Sequence, residues 1–219
     1  MSKTLQKKVL KKIFDNLSFS DKPGMLIASP SDNPPYKYHW VRDVSIVMRV
    51  IIDQYKKTKS DKYFVKIIDY INNCIDIQEL NTLTGLGEPK VNIDGTPYNE
   101  PWGRPQNDGP ALRGLNMINL FDILYNNHKQ IAEKLVIPVL QKDLNYIIDN
   151  LNKTCFDLWE EIVGWHFYTR LVQLKFLKEI CTNKHKFAGL LHIPDEIEKK
   201  FVFLQNNIEN HNGEKCIIS

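Results

Sequence analysis

Apolar residues recur along this chain at the three-to-four spacing of an α-helix, in one segment after another. Val44, Val47, Met48, Ile51, Ile52 and Tyr55 share one helical face, and Phe64, Ile67, Ile68, Ile71 and Ile75 share another. A third stripe runs through Leu112, Leu115, Ile118, Phe121 and Leu124. A fourth takes in Leu135, Val139, Leu140, Leu144, Ile147, Ile148 and Leu151, and a fifth Phe167, Leu171, Leu174, Leu177 and Ile180. With weaker patterns near 4–17 and 195–210, about seven helices are expected. No stretch alternates apolar and polar residues as a strand would, although the abundant isoleucine lowers helix propensity slightly. The pattern predicts an all-α fold.

Three segments between the stripes have a different character. From Thr84 to Pro110 fall five of the 11 prolines and five of the 10 glycines, which predicts a long, stiffened loop rather than regular structure. Loops of that length in compact domains usually carry function. A second segment, Tyr36-Lys37-Tyr38-His39-Trp40-Val41-Arg42-Asp43, follows a turn-rich stretch from Ser29 to Pro35. The third is Asp157-Leu158-Trp159-Glu160-Glu161. All four tryptophans, at 40, 102, 159 and 165, lie in or beside these segments, next to Arg, Asp and Glu. That mixture suits a sugar, whose apolar C–H faces stack on aromatic rings and whose hydroxyls take bidentate hydrogen bonds from charged groups.

Three carboxylates around an indole can also do acid chemistry. Like-charge repulsion and desolvation let one of them hold a proton to higher pH, as a general acid must. The alternative reading is structural: Asp157 caps the helix beginning near Phe167, and the two glutamates form its solvated first turn.

Taken together, these segments resemble the family 15 glycoside hydrolases typified by glucoamylases. The resemblance is carried by Tyr36 to Asp43, by Gly87-Glu88-Pro89-Lys90, by Trp102 to Arg113 and by Asp157 to Glu161, in matching order and spacing, from about Gly24 to about Leu177. It implies the N-terminal half of an (α/α)6 toroid, so that residues 1–219 form a single, incomplete catalytic domain. By the same resemblance Glu160 is the general acid, and Glu161 and Asp157 are its neighbours. Arg42 and Asp43 hold the terminal glucose, Trp102 lines the pocket, and Arg104, Tyr36 and Trp159 lie close by.

The implied reaction is inverting exo-hydrolysis of α-1,4-linked glucan, releasing β-glucose. The alternatives are hydrolysis of α,α-trehalose, a noncatalytic carbohydrate-binding or regulatory role, or one piece of a split enzyme. Inversion needs a second carboxylate roughly 6.5–9.5 Å from the acid to activate water. The later acidic residues, Asp195, Glu196, Glu198, Glu209 and Glu214, match no base motif of the family. The chain alone is therefore expected to turn over weakly, with self-association or a complementing C-terminal chain as partner and a malto-oligosaccharide or glucan as ligand.

Composition removes several rivals. Net charge is +3, from 29 Lys and Arg against 26 Asp and Glu, and is dispersed, which argues against nucleic-acid binding. Cysteines 74, 155, 181 and 216 have no metal-ligand spacing and are expected to be mostly buried free thiols, and no cofactor is called for. His39 and His166 flank the site segments with no Ser or Cys nucleophile pattern, so loop packing or a surface position is expected for them. The first residues lack an apolar leader, and no apolar run approaches about 20 residues, so an intracellular soluble protein is expected.

Overall fold

The computed structural model describes residues 3–209 and 216–217. Each apolar stripe becomes a helix: α1 (Lys3–Leu17), α2 (Val41–Thr58), α3 (Asp61–Gln78), α4 (Gly109–Leu124), α6 (Ile137–Asn150), α7 (Phe167–Asn183) and α8 (Ile197–Glu209). The remaining one, α5 (Lys129–Ile131), is a single turn that runs through a π-helical turn, Ala132–Val136, into α6. Pro138 lies just beyond that widened turn, and its missing N–H leaves the regular ladder interrupted there. The ends of α2 show how sequence sets a boundary. Asp43 stands in its first turn and Lys56 and Lys57 in its last, each opposing the helix dipole. Lys59 then turns left-handed, φ 53°, and donates its N–H to the carbonyl of Tyr55 at 2.8 Å.

The helices pack in two rows. α4 lies between α2 and α7, while α3 and α6 back onto α2 and α4, and α8 backs onto α7. Enclosed on several sides, α4 buries Ala111, Met117, Ile118, Leu120, Phe121 and Leu124, whereas Leu112 and Leu115, the first residues of its expected stripe, are only half-buried. A single stripe describes a helix with one buried face, which α4 is not. At Gly114 a Cβ would stand 2.5 Å from Cε2 of Phe176, so α4 and α7 meet at a separation that only glycine permits. Met48, Ile51, Ile67, Ile71, Leu140 and Leu144 are fully buried in the shared core, each such side chain contributing about 1.5–3 kcal/mol.

Two small sheets correct the expectation that strands are lacking. β1 (Tyr38–Trp40) pairs antiparallel with β2 (Lys90–Asn92), and β3 (Cys155–Phe156) pairs antiparallel with β4 (Val163–His166), beside which β5 (Cys216–Ile217) runs parallel. Runs of two to four residues are too short for alternation to show in a sequence. The stretch 84–110 is likewise not wholly irregular: it holds a 3₁₀ turn, Gly85–Gly87, then β2, and it ends in the first turn of α4. Among the described residues Cys74 and Cys155 are buried free thiols and Cys181 is a half-buried one. Among them, too, no helix is long and apolar enough to cross a membrane.

Candidate active site

Backbone hydrogen bonds gather the unusual segments at one end of the helices. The β1–β2 ladder sets Trp40 opposite Lys90 and His39 opposite Val91, and Val41 continues it by donating to the carbonyl of Pro89 at 2.9 Å. Gln106 N–H donates to the carbonyl of Gly87 at 2.8 Å, and Phe156 N–H to that of Pro105 at 2.9 Å. Residues far apart in sequence thereby share one rigid platform, as functional loops on a scaffold should.

Arg42, in the first turn of α2, forms a bidentate pair with Asp108, Nε to Oδ2 at 2.5 Å and Nη2 to Oδ1 at 3.2 Å. Nη2 also donates to Oε1 of Gln106. Burial opposes the Arg42 charge, but Asp108 beside it holds the guanidinium above its usual range. Its neighbour Asp43 is pushed up from the ordinary carboxylate range by burial, with Arg42 pulling the other way. Tyr168, at the start of α7, is raised by burial and by the negative charge of Asp108.

Glu160 stands in the turn between β3 and β4. Asp157 Oδ1 accepts the N–H groups of Glu161 at 2.8 Å and Ile162 at 3.1 Å, and Asp157 N–H reaches the carbonyl of Ile162 at 3.0 Å. So Asp157 holds this turn; α7 begins after His166 with no side-chain cap, and the glutamates are not its first turn. Burial alone would raise the Asp157 carboxyl, but those backbone donors hold it below the usual range. Glu160 itself is left-handed, φ 66°, a conformation of the kind that costs about 1–3 kcal/mol and persists only where the surroundings impose it. One such constraint is visible: a Cβ at Gly103 would lie 2.7 Å from Cβ of Glu160, so the chain passes there only as glycine.

A cavity of about 270 Å³ opens between these parts, near the lower end of the roughly 300–1,000 Å³ usual for small-molecule sites. Tyr36, Trp40, Arg42, Asp43, Trp159 and Glu160 line it, with Ala28 and Leu158. The structure thus brings together five of the residues singled out in the sequence: Tyr36, Arg42, Asp43, Trp159 and Glu160. The other four stand behind or beside the cavity. Glu161 is exposed and Asp157 is buried in its turn. Arg104 is engaged with Glu88, 2.7 Å away, and with the carbonyl of Tyr98. Trp102 forms part of a cage.

That cage encloses Lys90, which is fully buried. Its ammonium lies 3.2 Å from the centroid of the Trp102 ring, 4.0 Å from Tyr38, 4.1 Å from Tyr98 and 4.9 Å from Trp40. Burial pushes the Lys90 ammonium down to about 8, against the attraction of Glu160. Lys90, Gln106 and Asp108 stand directly against the cavity-lining Trp40, Arg42 and Glu160, although the motifs that contain them assign them no role. Their signal was present as charged or amide side chains within the same motifs. Of the acidic residues considered as a base, Asp195 and Glu196 are exposed and Glu198 pairs with Lys184 at 3.3 Å, and none of the three lines the cavity. The Glu209 side chain and Glu214 lie outside the described residues.

The profile of the family described as Glycosyl hydrolases family 15 matches residues 4–189. Glucoamylase-1 of Arthroderma benhamiae is 39% identical over 190 residues, covering 80% of this chain and 31% of that protein. A probable glucoamylase of Schizosaccharomyces pombe is 40% identical over 183 residues, covering 80% of this chain and 39% of that one. Among solved structures, a glucoamylase from Saccharomycopsis fibuligera superposes with a TM-score of 0.83 at 29% identity, over 96% of this chain and 49% of that chain. The Hormoconis resinae glucoamylase gives a TM-score of 0.83 at 30% identity, over 93% of this chain and 37% of that chain. This chain therefore spans about a third of the length of these curated relatives, and its two rows of helices are part of an (α/α)6 toroid. Because the family match extends over most of the sequence, and these relatives share both its residues and its fold, the chain belongs to the glycosyl hydrolases of family 15.

Proposed function

We propose that this chain carries the acid side of a glucoamylase active site acting on α-1,4-linked glucans. The observation that carries this reading is the cavity in which Glu160 faces the Arg42–Asp43 pair across aromatic walls from Tyr36, Trp40 and Trp159. In this reading Glu160 protonates the glycosidic oxygen, and Arg42 and Asp43 hold the hydroxyls of the terminal glucose. Trp159 and Tyr36 stack against the ring faces. Glu161 contacts the leaving-group sugar, and Asp157, through its turn, fixes where Glu160 stands. Trp102 and Arg104 support the wall from behind. Inversion with release of β-glucose requires a carboxylate on the opposite face, at roughly 6.5–9.5 Å from the acid. We assign that carboxylate to a part of the assembly beyond the described residues, either further sequence or a second chain.

Titration calorimetry with acarbose tests the pocket without requiring turnover. Removing one charged hydrogen bond costs about 1.5–3 kcal/mol, so Asp43→Ala is expected to weaken binding about tenfold or more. Unchanged affinity in Asp43→Ala and in Arg42→Met would show that the sugar binds elsewhere.

A further inference from the structure

The side-chain amide of Gln106 sits between the arginine and the acid. Its Oε1 accepts from Nη2 of Arg42, while its Nε2 donates to Oε1 of Glu160 at 2.9 Å and to the carbonyl of Gly103 at 3.1 Å. The backbone of the same residue is tied to Gly87, and Gln106 is 2% exposed. A guanidinium can only donate, so the amide oxygen must face Arg42. A carbonyl and a carboxylate can only accept, so both amide hydrogens are used as well. The flipped amide would put N–H against N–H on one side and oxygen against oxygen on the other. One orientation survives, and Arg42, itself fixed by its two bonds to Asp108, selects it.

This orientation has a consequence at the acid. Oε1 of Glu160 already faces an N–H donor, so a proton placed there would point at another hydrogen. We infer that Gln106 is a positioning residue which reserves Oε2 of Glu160 as the oxygen that carries and delivers the proton, and that Asp108, Arg42 and Gln106 form a relay coupling the sugar-binding arginine to the acid. The inference rests on the reading of Glu160 as the general acid. It adds the atom that acts and the residues that choose it. A contact of Arg42 with a sugar hydroxyl would then be felt at Glu160 through one rigid amide, without movement of the backbone.

The test is nuclear magnetic resonance of the Gln106 side-chain amide in the full 219-residue chain, assigned by its loss in Gln106→Glu. The groups near this amide that carry charge are Arg42 and Asp43 from α2, Lys90 from β2, Asp108 before α4, and Glu160 itself. The amide hydrogens are expected to exchange with water about tenfold more slowly in the wild type than in Arg42→Met, where the amide is free to flip. Glu160→Gln, which keeps every other charged group in place, should shift the same resonance, because an amide oxygen then replaces the carboxyl oxygen as the acceptor of Nε2. Acarbose should perturb the same resonance, and the perturbation should vanish in Arg42→Met. An amide that exchanges equally fast in wild type and Arg42→Met, or whose resonance is the same with and without the Glu160 carboxyl, overturns the relay even if acarbose binds normally. Conversely, a slow, Glu160-sensitive amide in a chain that does not bind acarbose supports the relay and removes the functional reading on which its purpose depends.

Discussion

Among the described residues, two arginine–aspartate ion pairs, Arg113–Asp143 and Arg42–Asp108, serve opposite ends. Arg113 on α4 and Asp143 on α6 are 3% and 0% exposed, joined by Nε to both carboxylate oxygens at 3.2 and 3.0 Å and by Nη2 to Oδ1 at 2.5 Å. Gln78 closes the cluster by donating to Oδ1 of Asp143 at 3.0 Å and to the carbonyl of Val139 at 3.1 Å. Burial works against the Arg113 charge, yet Asp143 holds it above the usual arginine range. Arg42 and Asp108 share the same bidentate form, but one end of the arrangement is open: the guanidinium reaches Gln106, and the cavity lies beside it. A pair enclosed on all sides stabilises a helix contact. A pair with one side toward a cavity is arranged for something not yet there.

The largest effect that would break this contrast is on stability. Asp143→Ala leaves a buried guanidinium without its partner, and such losses cost about 3–5 kcal/mol. Denaturant unfolding should show a loss of that size, with Asp43→Ala, on the cavity side, changing stability by less than about 1 kcal/mol. Similar losses in both variants would mean that Asp43, at the cavity, is held for structure as Asp143 is.

The second effect lies in the frame that holds the site and is set by pH. His39, within β1, is 3% exposed, and its Nδ1 accepts the N–H of Leu26 at 3.3 Å, a bond that the protonated ring cannot make. Burial, and then the charges of Arg113 and Lys22, push the His39 imidazole down from 6.5 to about 3. Because the folded value is the lower one, the unfolded chain binds the extra proton throughout that interval, so acid favours unfolding. Stability from this source is complete above pH 6.5, declines by about 1.4 kcal/mol per pH unit below it, and has lost about 3 kcal/mol by pH 4. His39→Gln keeps an acceptor and removes the titration. Its unfolding free energy should fall less steeply between pH 6.5 and 4 than that of the wild type, and equal slopes would remove His39 as the cause.

What could be read from sequence follows the same division between frame and site. Ile51, Ile67 and Leu144 are buried where the helical period puts them, because a local repeat reports which face of a helix is apolar. Leu112 and Leu115 do not follow their stripe, because α4 is enclosed by neighbours the period cannot count. Tyr36, Arg42, Asp43, Trp159 and Glu160 were legible as candidates from their unusual chemistry in loops and from the resemblance, and they meet at the cavity. The burial of Lys90 was not legible. Lysine ordinarily stays in solvent, and its cage is assembled from Tyr38, Trp40, Tyr98 and Trp102, which come together only once β1 has paired with β2. Gln106 was hidden for a similar reason: a glutamine in a loop says nothing until both of its neighbours are in place.

The smallest effect sharpens the comparison most. Trp159 is 72% exposed yet lines the cavity, so in the free protein its indole contributes little to packing. Truncating a large aromatic residue in a core usually costs about 3–5 kcal/mol, whereas a surface substitution usually changes stability by about 0.5 kcal/mol or less. Trp159→Ala should therefore unfold at the same denaturant concentration as the wild type. A sugar ring laid against the indole removes apolar surface from water, and aromatic contacts of this kind add about 0.5–1.5 kcal/mol beyond that burial. Acarbose binding should accordingly weaken about fivefold, corresponding to about 1 kcal/mol. A variant that loses stability but not affinity would make Trp159 part of the frame. One that loses affinity alone would show that this edge of the cavity is held in readiness for a ligand, as the open side of the Arg42 pair requires.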